Sequence, residues 1–153
     1  PGIVLAVTIT GLLGPGLRNA MIAVGFVFSP SLARLLRSTV IPIRESDYVR
    51  AARSFGTSGL RAAMRHVLPN AMAPVLVQLC GLASFCLIIE AGLSFLGLGV
   101  QPPDPSWGGD LAHAYQYFIS APFATLAPGL LITVVAFCLT QIGDGLRILL
   151  RAE

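Results

Sequence analysis

Apolar residues are concentrated in four stretches of the chain, which are separated by polar segments. The stretches cover residues 1–13, 19–36, 75–99 and 123–146. A membrane-spanning helix needs about 20 predominantly apolar residues, and 75–99 would reach roughly 37 Å at 1.5 Å per residue. The pattern therefore predicts an all-α fold, a polytopic bundle of transmembrane helices. Because the first stretch is too short to span, we expect it to be the end of a span, with N-terminal helices of the bundle missing.

The chain also carries few charges for its length. Hydrophobic residues make up 55% of its 153 residues and charged residues only 11%, whereas soluble domains average roughly a quarter charged residues. A soluble domain of this size needs a polar surface that so few charges would not cover. The composition argues against a soluble all-helical domain and supports an integral membrane protein.

The distribution of arginines predicts how the helices are oriented. Two arginines, Arg147 and Arg151, follow the fourth stretch, and residues 100–122 contain no arginine or lysine. Cytoplasmic loops carry an excess of positive charge, so residues 37–74 and the C-terminus are predicted to be cytoplasmic and residues 100–122 external. Arg18, in a predicted external turn, is the one exception. Seven of the ten arginines lie at the end of the second span or between the second and third spans: Arg34, Arg37, Arg44, Arg50, Arg53, Arg61 and Arg65.

The three cysteines all lie in apolar segments, without a CxxC motif or a Cys/His spacing. An odd number of cysteines in this arrangement argues against a disulfide framework and a zinc site. We therefore predict that Cys80, Cys86 and Cys138 pack as small hydrophobic side chains and that the chain binds no metal.

Residues 45–69 predict a short helix, a glycine break and a second helix on the cytoplasmic side. Ser46 or Asp47 is a candidate N-cap, and Gly56 is a natural residue to follow a helix end because it tolerates positive φ. Thr57 or Ser58 can then cap a second helix, which Pro69 is predicted to end. The apolar residues of that second helix recur with an amphipathic period. They are Leu60, Met64, Val67 and Leu68.

Two interpretations of this segment are open from the residues alone. One is a basic helix resting on anionic lipid headgroups, which would explain the arginines. The other is insertion into a groove on a partner protein, because Ala51 and Ala52 make a smooth surface just before the glycine.

The same segment resembles the EAA loop of ABC importer permeases, which has a Glu-Ala-Ala triplet, a glycine four residues later and a Leu-Pro further on. Arg50 takes the place of the acidic residue of that triplet, and His66 the place of the usual isoleucine. Ala51, Ala52, Gly56, Leu68 and Pro69 match the pattern. Three strings resemble the dipeptide/oligopeptide (nickel) class of these permeases: RHVLPN (65–70), EAGLSFLGLGVQPPDPSWGGDL (90–111) and GDGLR (143–147).

The resemblance implies a permease subunit with the type I importer fold, in the cell (inner) membrane. Such a subunit forms part of the translocation pathway for ATP-driven uptake of peptides or related small solutes. The implied partners are a second homologous permease subunit, two ATPase subunits, an external substrate-binding protein and membrane lipid, with no nucleic acid. The residues implied to couple to the ATPase are Tyr48, Ala51, Ala52, Gly56, Ser58, Leu68 and Pro69. ATP and Mg would be bound by the ATPase, and this subunit would bind no cofactor.

The sequence agrees that ATP hydrolysis takes place elsewhere. It has no GxxxxGK[ST] pattern and no lysine at all, so the phosphate-binding lysine of a P-loop is missing. A membrane-embedded enzyme would need a nucleophile with a base or an HExxH motif, and neither is present. A non-transporting structural subunit and a permease of another ABC importer class are the remaining alternatives.

Glu90 lies near the middle of the third stretch, where a carboxylate is costly and marks a functional site by default. On a continuous helix, Glu90, Ser94 and Gly97 share a face with Ala83 and Cys86, and this face is a candidate lining of the translocation pathway. The alternative is a carboxyl group that ties helices together through a hydrogen bond.

Small residues recur along the fourth stretch at spacings of 4, 3, 4 and 3. Such a face allows helix backbones to approach closely in lipid, so helix packing is favoured over pore lining. Its members are Gly129, Thr133, Ala136, Thr140 and Gly143. Asp144 and Arg147 are predicted to anchor the end of the same helix. The external loop either caps the side that faces the binding protein or anchors Trp107 at the membrane interface.

Overall fold

The computed structural model describes residues 1–149, and Arg151 lies outside this range. The regular structure of the described residues is helical, which confirms the predicted all-α class. The helices are α1 (Gly2–Leu13), α2 (Leu17–Arg44), α3 (Asp47–Ser54), α4 (Gly59–Ala62), α5 (Leu68–Phe95), α6 (Trp107–Tyr115) and α7 (Pro122–Leu149), with a π-helical turn at Ala63–Val67 between α4 and α5.

Among residues 1–149, three helices are long and apolar enough to cross a membrane. They are Leu17–Arg44, Gly59–Phe95 and Pro122–Leu149, whereas the apolar α1 is shorter. The second helix continues to Arg44, beyond the predicted end at residue 36. It runs through Pro30, whose ring removes the hydrogen bond to the carbonyl of Phe26. The Ser29 hydroxyl donates to that carbonyl at 3.1 Å, which is how membrane helices tolerate proline.

The predicted end of a cytoplasmic helix at Pro69 is wrong, because the helix that begins at Gly59 continues through this proline into α5. The π turn precedes it directly, and the amide of Leu68 bonds the carbonyl of Ala63, five residues back. Pro69 has no N–H, and its ring crowds the preceding turn of an α-helix. The Asn70 side-chain amide donates to the carbonyl of His66 at 2.7 Å, which satisfies one carbonyl of the disrupted turn.

The third span ends at Phe95 rather than at the predicted residue 99. Gly97 has φ of +74°, and its amide bonds the carbonyl of Ser94 at 3.0 Å, while the amide of Leu98 bonds that of Leu93 at 2.8 Å. These two bonds form a Schellman motif, which stops the helix and satisfies its last carbonyls. The predicted helical face that includes Gly97 is therefore wrong at this residue.

Helix α5 is the centre of the packing, since it contacts α2, α6 and α7, while α1 pairs with α2. A small buried cluster joins α1, α2 and α5, with Ala6, Ala23 and Leu93 among its members. Many large apolar side chains on the outside of the helices are exposed. A thin interior beneath an apolar surface suits a bundle that is solvated by lipid.

One hydrogen bond places two connections at the same end of the bundle. The amide of Gly16, in the turn between α1 and α2, donates to the carbonyl of Leu98 at 3.1 Å. The segment 96–121, which includes α6, therefore shares its end with that turn, and the segment 45–69 leaves from the opposite end of α2. The two segments therefore lie at opposite ends of the bundle. That these ends are on opposite sides of a membrane, and which of them is cytoplasmic, stay predictions.

Candidate functional site

The segment 45–69 has the predicted helix–glycine–helix geometry. Helix α3 ends before Gly56, which has φ of +84°. The amide of Gly56 bonds the carbonyl of Arg53 at 2.9 Å, and that of Thr57 bonds the carbonyl of Ala52 at 3.2 Å. This is a second Schellman motif, and it reverses the chain within a few residues.

The two candidate serine caps occupy N-cap positions without capping through their side chains. Ser46 precedes α3 and Ser58 precedes α4, and neither hydroxyl accepts from the helix that follows. The hydroxyl of Ser46 instead donates to the carbonyl of Ile43 at 2.6 Å. Ser46 therefore joins the end of α2 to the start of α3.

Apolar side chains of this segment point both inward and outward. Val49, Ala62 and Val67 are buried. Leu60 is 77% exposed and Met64 60% exposed, so the predicted amphipathic face does not pack as one buried face. The candidate coupling residues Tyr48, Ala51, Gly56, Ser58, Leu68 and Pro69 are exposed as well, and Ala52 is half-buried.

Arg50 contacts the end of α2. It occupies the position of the acidic residue in the EAA loop pattern. Its Nε donates to the carbonyl of Glu45 at 3.0 Å, and a cation is favourable at a helix C-terminus. The ring of Tyr48 meets that of His66 edge to face, with centroids 6.5 Å apart. Helix α3 is thus joined to both α2 and the π turn.

At the other end of α5, Glu90 and Ser94 form a hydrogen-bonded pair. The Oγ of Ser94 donates to Oε1 of Glu90 at 2.6 Å and accepts from the amide of Val100 at 3.0 Å. Ser94 is only 3% exposed, so it is packed inside the protein. Glu90 is half-buried.

Glu90 lines two adjoining cavities of about 480 and 370 Å³. Leu17 and Leu87 line both cavities as well. The larger one also contains Trp107 and Asp110 of α6, which sequence reasoning did not assign to this site. A signal was available, because both residues belong to the string 90–111 that also contains Glu90.

The segment that follows α5 packs directly on its last turns. A Cβ added to Gly99 would lie 2.8 Å from the amide nitrogen of Ser94. A Cβ added to Gly108 would overlap the carbonyl oxygen of Ala91 and lie 2.8 Å from the Cβ of Ser94. The close approach of this segment to Ser94 thus requires glycine at both positions.

The residues of the small-residue face of α7 do not all pack against the same helix. Ala136 and Thr140 meet Ser84 of α5 through hydrogen bonds, and a Cβ on Gly143 would lie 2.9 Å from the Cβ of Cys80 on the same helix. Gly129 is nearest to Leu111 of α6, and Thr133 is exposed, with its hydroxyl bonded to the carbonyl of Gly129. Asp144 and Arg147 are exposed near the end of α7.

Within residues 1–149, no group of three or more His, Cys, Asp or Glu side chains is placed to hold a metal ion. The three cysteines are free thiols.

Comparison with known proteins identifies the family. The family model described as "Binding-protein-dependent transport system inner membrane component" matches residues 1–147. The chain belongs to this family.

Several transport permeases are similar to this family member along 96% of the chain. The di/tripeptide transport system permease protein of Pseudomonas aeruginosa is 44% identical over 147 residues, and the dipeptide transport system permease protein of Alkalihalophilus pseudofirmus is 43% identical. The glutathione transport system permease protein of Escherichia coli is 37% identical. The chain spans about half the length of the curated relatives it matches, 48% of each of these three.

The three strings that carry the resemblance to peptide permeases coincide with three packing features of this inner membrane component. Residues 65–70 contain the end of the π turn together with Pro69 and Asn70. Residues 90–111 contain the Glu90–Ser94 pair and the glycines that surround it. Residues 143–147 begin at the glycine that contacts α5.

Proposed function

We propose that this chain forms part of a permease subunit of an ABC importer, which takes up peptides or related small solutes by an ATP-driven mechanism. The observation that carries the proposal is the helix–glycine–helix segment 45–69. Its Gly56 lies four residues after Ala52 and ends α3 in a Schellman motif, at the spacing of an EAA loop. The permease relatives support the same assignment.

The proposed contact with the ATPase lies on the outward side of this segment. Phe55 is 91% exposed, and Leu60 and Met64, further along the same segment, are exposed as well. Apolar side chains of this size are typical of the desolvated centre of a protein interface, with charged residues at its rim. The exposed Arg53 and Arg61 supply such a rim. A basic helix on anionic headgroups remains the alternative for the same arginines.

The proposed translocation pathway passes the cavities at Glu90. A carboxylate within a membrane-spanning segment is stable where it faces a water-filled cavity or the bundle interior, and Glu90 is half-buried beside two cavities. The names of the relatives refer to dipeptides, di/tripeptides and glutathione, which supports small peptides as the substrate class.

The proposed complex contains a second permease subunit, two ATPase subunits that bind ATP and Mg, and an external substrate-binding protein. The arginine-rich end would face the cytoplasm and the segment 96–121 would face the binding protein. This chain is not proposed to hydrolyse ATP, because its sequence contains no P-loop lysine.

Cysteine cross-linking in membranes of cells that produce the intact transporter tests this proposal. Ser58→Cys is combined with cysteines in the permease-facing groove of the co-expressed ATPase, after Cys80, Cys86 and Cys138 have been replaced by alanine. We expect cross-links whose yield changes when ATP is added. Ser120→Cys, at the opposite end of the bundle, is the matched control and is expected to give none.

The opposite result would assign the segment to the membrane surface. If Ser58→Cys reacts only with lipid-embedded reagents and never with the ATPase, the segment 45–69 is an interfacial helix. The proposed coupling is then wrong.

A further inference from the structure

The hydroxyl of Ser94 connects two parts of the protein. On one side it accepts a hydrogen bond from the amide of Val100, in the segment after α5, and on the other it donates to the carboxylate of Glu90. A serine hydroxyl has a single hydrogen to donate, and the carboxylate receives it here. The two hydrogen bonds therefore form one continuous chain from Val100, in the segment after α5, to Glu90.

The surroundings of Ser94 leave little room for another arrangement. The side chain is almost completely buried, and Gly99 and Gly108 approach it so closely that neither position has room for a Cβ. Loss of either hydrogen bond would leave a buried polar group without a partner, which is costly. The position of the segment after α5 and that of the Glu90 carboxylate are thus linked.

The carboxylate that Ser94 holds is the one that both cavities share. Oε1 of Glu90 receives the bond from Ser94, so this bond holds the side chain of the residue that lines both cavities. The larger cavity also reaches Trp107 and Asp110 of α6, whose neighbour Gly108 packs on Ser94. Movement of α6 would therefore change both the wall of the cavity and the support of Glu90.

We propose that Ser94 is a positioning residue for Glu90 and transmits the position of residues 96–110, which follow α5, to the carboxylate at the cavities. This proposal rests on the proposed function insofar as solutes meet that carboxylate. The sequence-based interpretation of Ser94 as a pathway lining stays a prediction, and the proposal assigns its hydroxyl a role through the bonds to Glu90 and Val100.

The first test is a double-mutant cycle of Ser94 and Glu90. Its readout is ATP-driven peptide uptake by the intact transporter in proteoliposomes. Ser94→Ala is expected to lower the uptake rate roughly tenfold when Glu90 is present, since hydrogen bonds to charged groups are the stronger ones. In the Glu90→Ala background the same change is expected to cost less than about twofold, because nothing is left to position. Equal losses in both backgrounds would mean a purely structural role and would overturn the proposal.

Ser84→Ala is the matched control for this cycle. Ser84 is another buried serine of α5, and its hydroxyl bonds the carbonyl of Ala136 on α7 rather than Glu90. We expect its effect on uptake to be the same factor with and without Glu90. Membrane levels and thermal unfolding of each variant in detergent are measured in parallel.

The second test is residue-resolved hydrogen exchange of the purified protein, which needs no transport. Glu90→Ala should accelerate exchange of the Val100 amide several-fold, whereas Glu90→Gln, which keeps an oxygen for Ser94, should leave it protected. The amide of Leu98, which bonds Leu93 instead, is the internal control and should not change. Unaltered exchange at Val100 in Glu90→Ala would contradict the link.

The two tests separate the proposals. If the unsubstituted transporter takes up no peptide, the proposed function fails while hydrogen exchange still decides on the Ser94 link. If Glu90→Ala abolishes uptake, hydrogen exchange again decides. If uptake is intact and both tests show no dependence on Glu90, only the positioning role is wrong.

Discussion

The hydroxyl of Ser84 on α5 donates a hydrogen bond to the carbonyl oxygen of Ala136 on α7, at 2.8 Å and 52 positions along the chain. Thr140, one turn further along α7, donates to the same carbonyl at 3.0 Å and lies 3.4 Å from the Ser84 hydroxyl. These bonds define the register between two membrane-spanning helices, where lipid supplies no competing donors.

Substitution of Ser84 by alanine should weaken this interface. We expect the free energy of unfolding to fall by about 1 kcal/mol, because hydrogen bonds between transmembrane helices contribute about 0.6 kcal/mol on average and at most about 1.7 kcal/mol. Equilibrium unfolding in mixed detergent micelles measures the change. Ser38→Ala removes a hydroxyl that bonds only within α2 and should have little effect, so equal losses in the two variants would contradict the assignment.

Substitution of Gly143 by alanine should separate α5 from α7. The added Cβ would lie 2.9 Å from the Cβ of Cys80 and 3.2 Å from the carbonyl oxygen of Val77. Overpacking of this kind costs about 1 to 3 kcal/mol, which the same unfolding measurement would detect. Gly145→Ala, two residues along the same helix, meets nothing within 4 Å and should be neutral or slightly stabilising. A neutral Gly143→Ala would show that this close contact is not made.

Substitution of Gly56 by alanine should destabilise the reversal between α3 and α4. Its φ of +84° is unfavourable for a residue with a Cβ by about 1 to 2 kcal/mol. Thermal unfolding of the purified protein and ATP-driven uptake should both decline. Gly59→Ala lies within α4 with open space around it and should leave both unchanged. A tolerated Gly56→Ala would argue against the Schellman geometry.

Polar substitution of the outward apolar side chains should release the ATPase. We expect Leu60→Ser combined with Met64→Ser to lower the amount of ATPase recovered with the purified permease several-fold, because interfaces depend on a few buried anchors. Both residues are exposed in this chain, so stability should change by less than about 0.5 kcal/mol. Ile119→Ser, at a residue 99% exposed at the other end of the bundle, is the control. Undiminished recovery would favour the membrane-surface interpretation.

Substitution of Glu90 by glutamine should alter transport with little effect on the amount of protein in the membrane. Glutamine keeps an acceptor for Ser94 but removes the charge from the cavities. Peptide uptake and quantitative immunodetection in membranes measure the two quantities. A loss of uptake that matches the loss of protein would assign Glu90 a structural role.

Local features of the sequence were sufficient for the helices and for much of the candidate coupling segment. The four apolar stretches correspond to α1, α2, α5 and α7, and Gly56 was placed correctly at the end of α3. These properties depend on composition, on helical rise per residue and on the tolerance of glycine for positive φ, all of which are local. The predicted helix ends were less accurate near Pro30 and Pro69. At these prolines a side chain or a neighbouring turn replaces the lost backbone hydrogen bond, so the helix continues.

By itself, the sequence determined the all-α class, the clustering of arginines at one end of the predicted bundle and the resemblance to peptide permeases. Only the tertiary structure decided that Gly97 ends α5, that Leu60 and Met64 point outward and that Ser94 holds Glu90. The physical reason is that helical periodicity shows which residues share a face, but not what that face meets. In a membrane protein both the lipid and the neighbouring helices are apolar, so contacts such as Ser84 to Ala136 become visible only when distant segments are brought together.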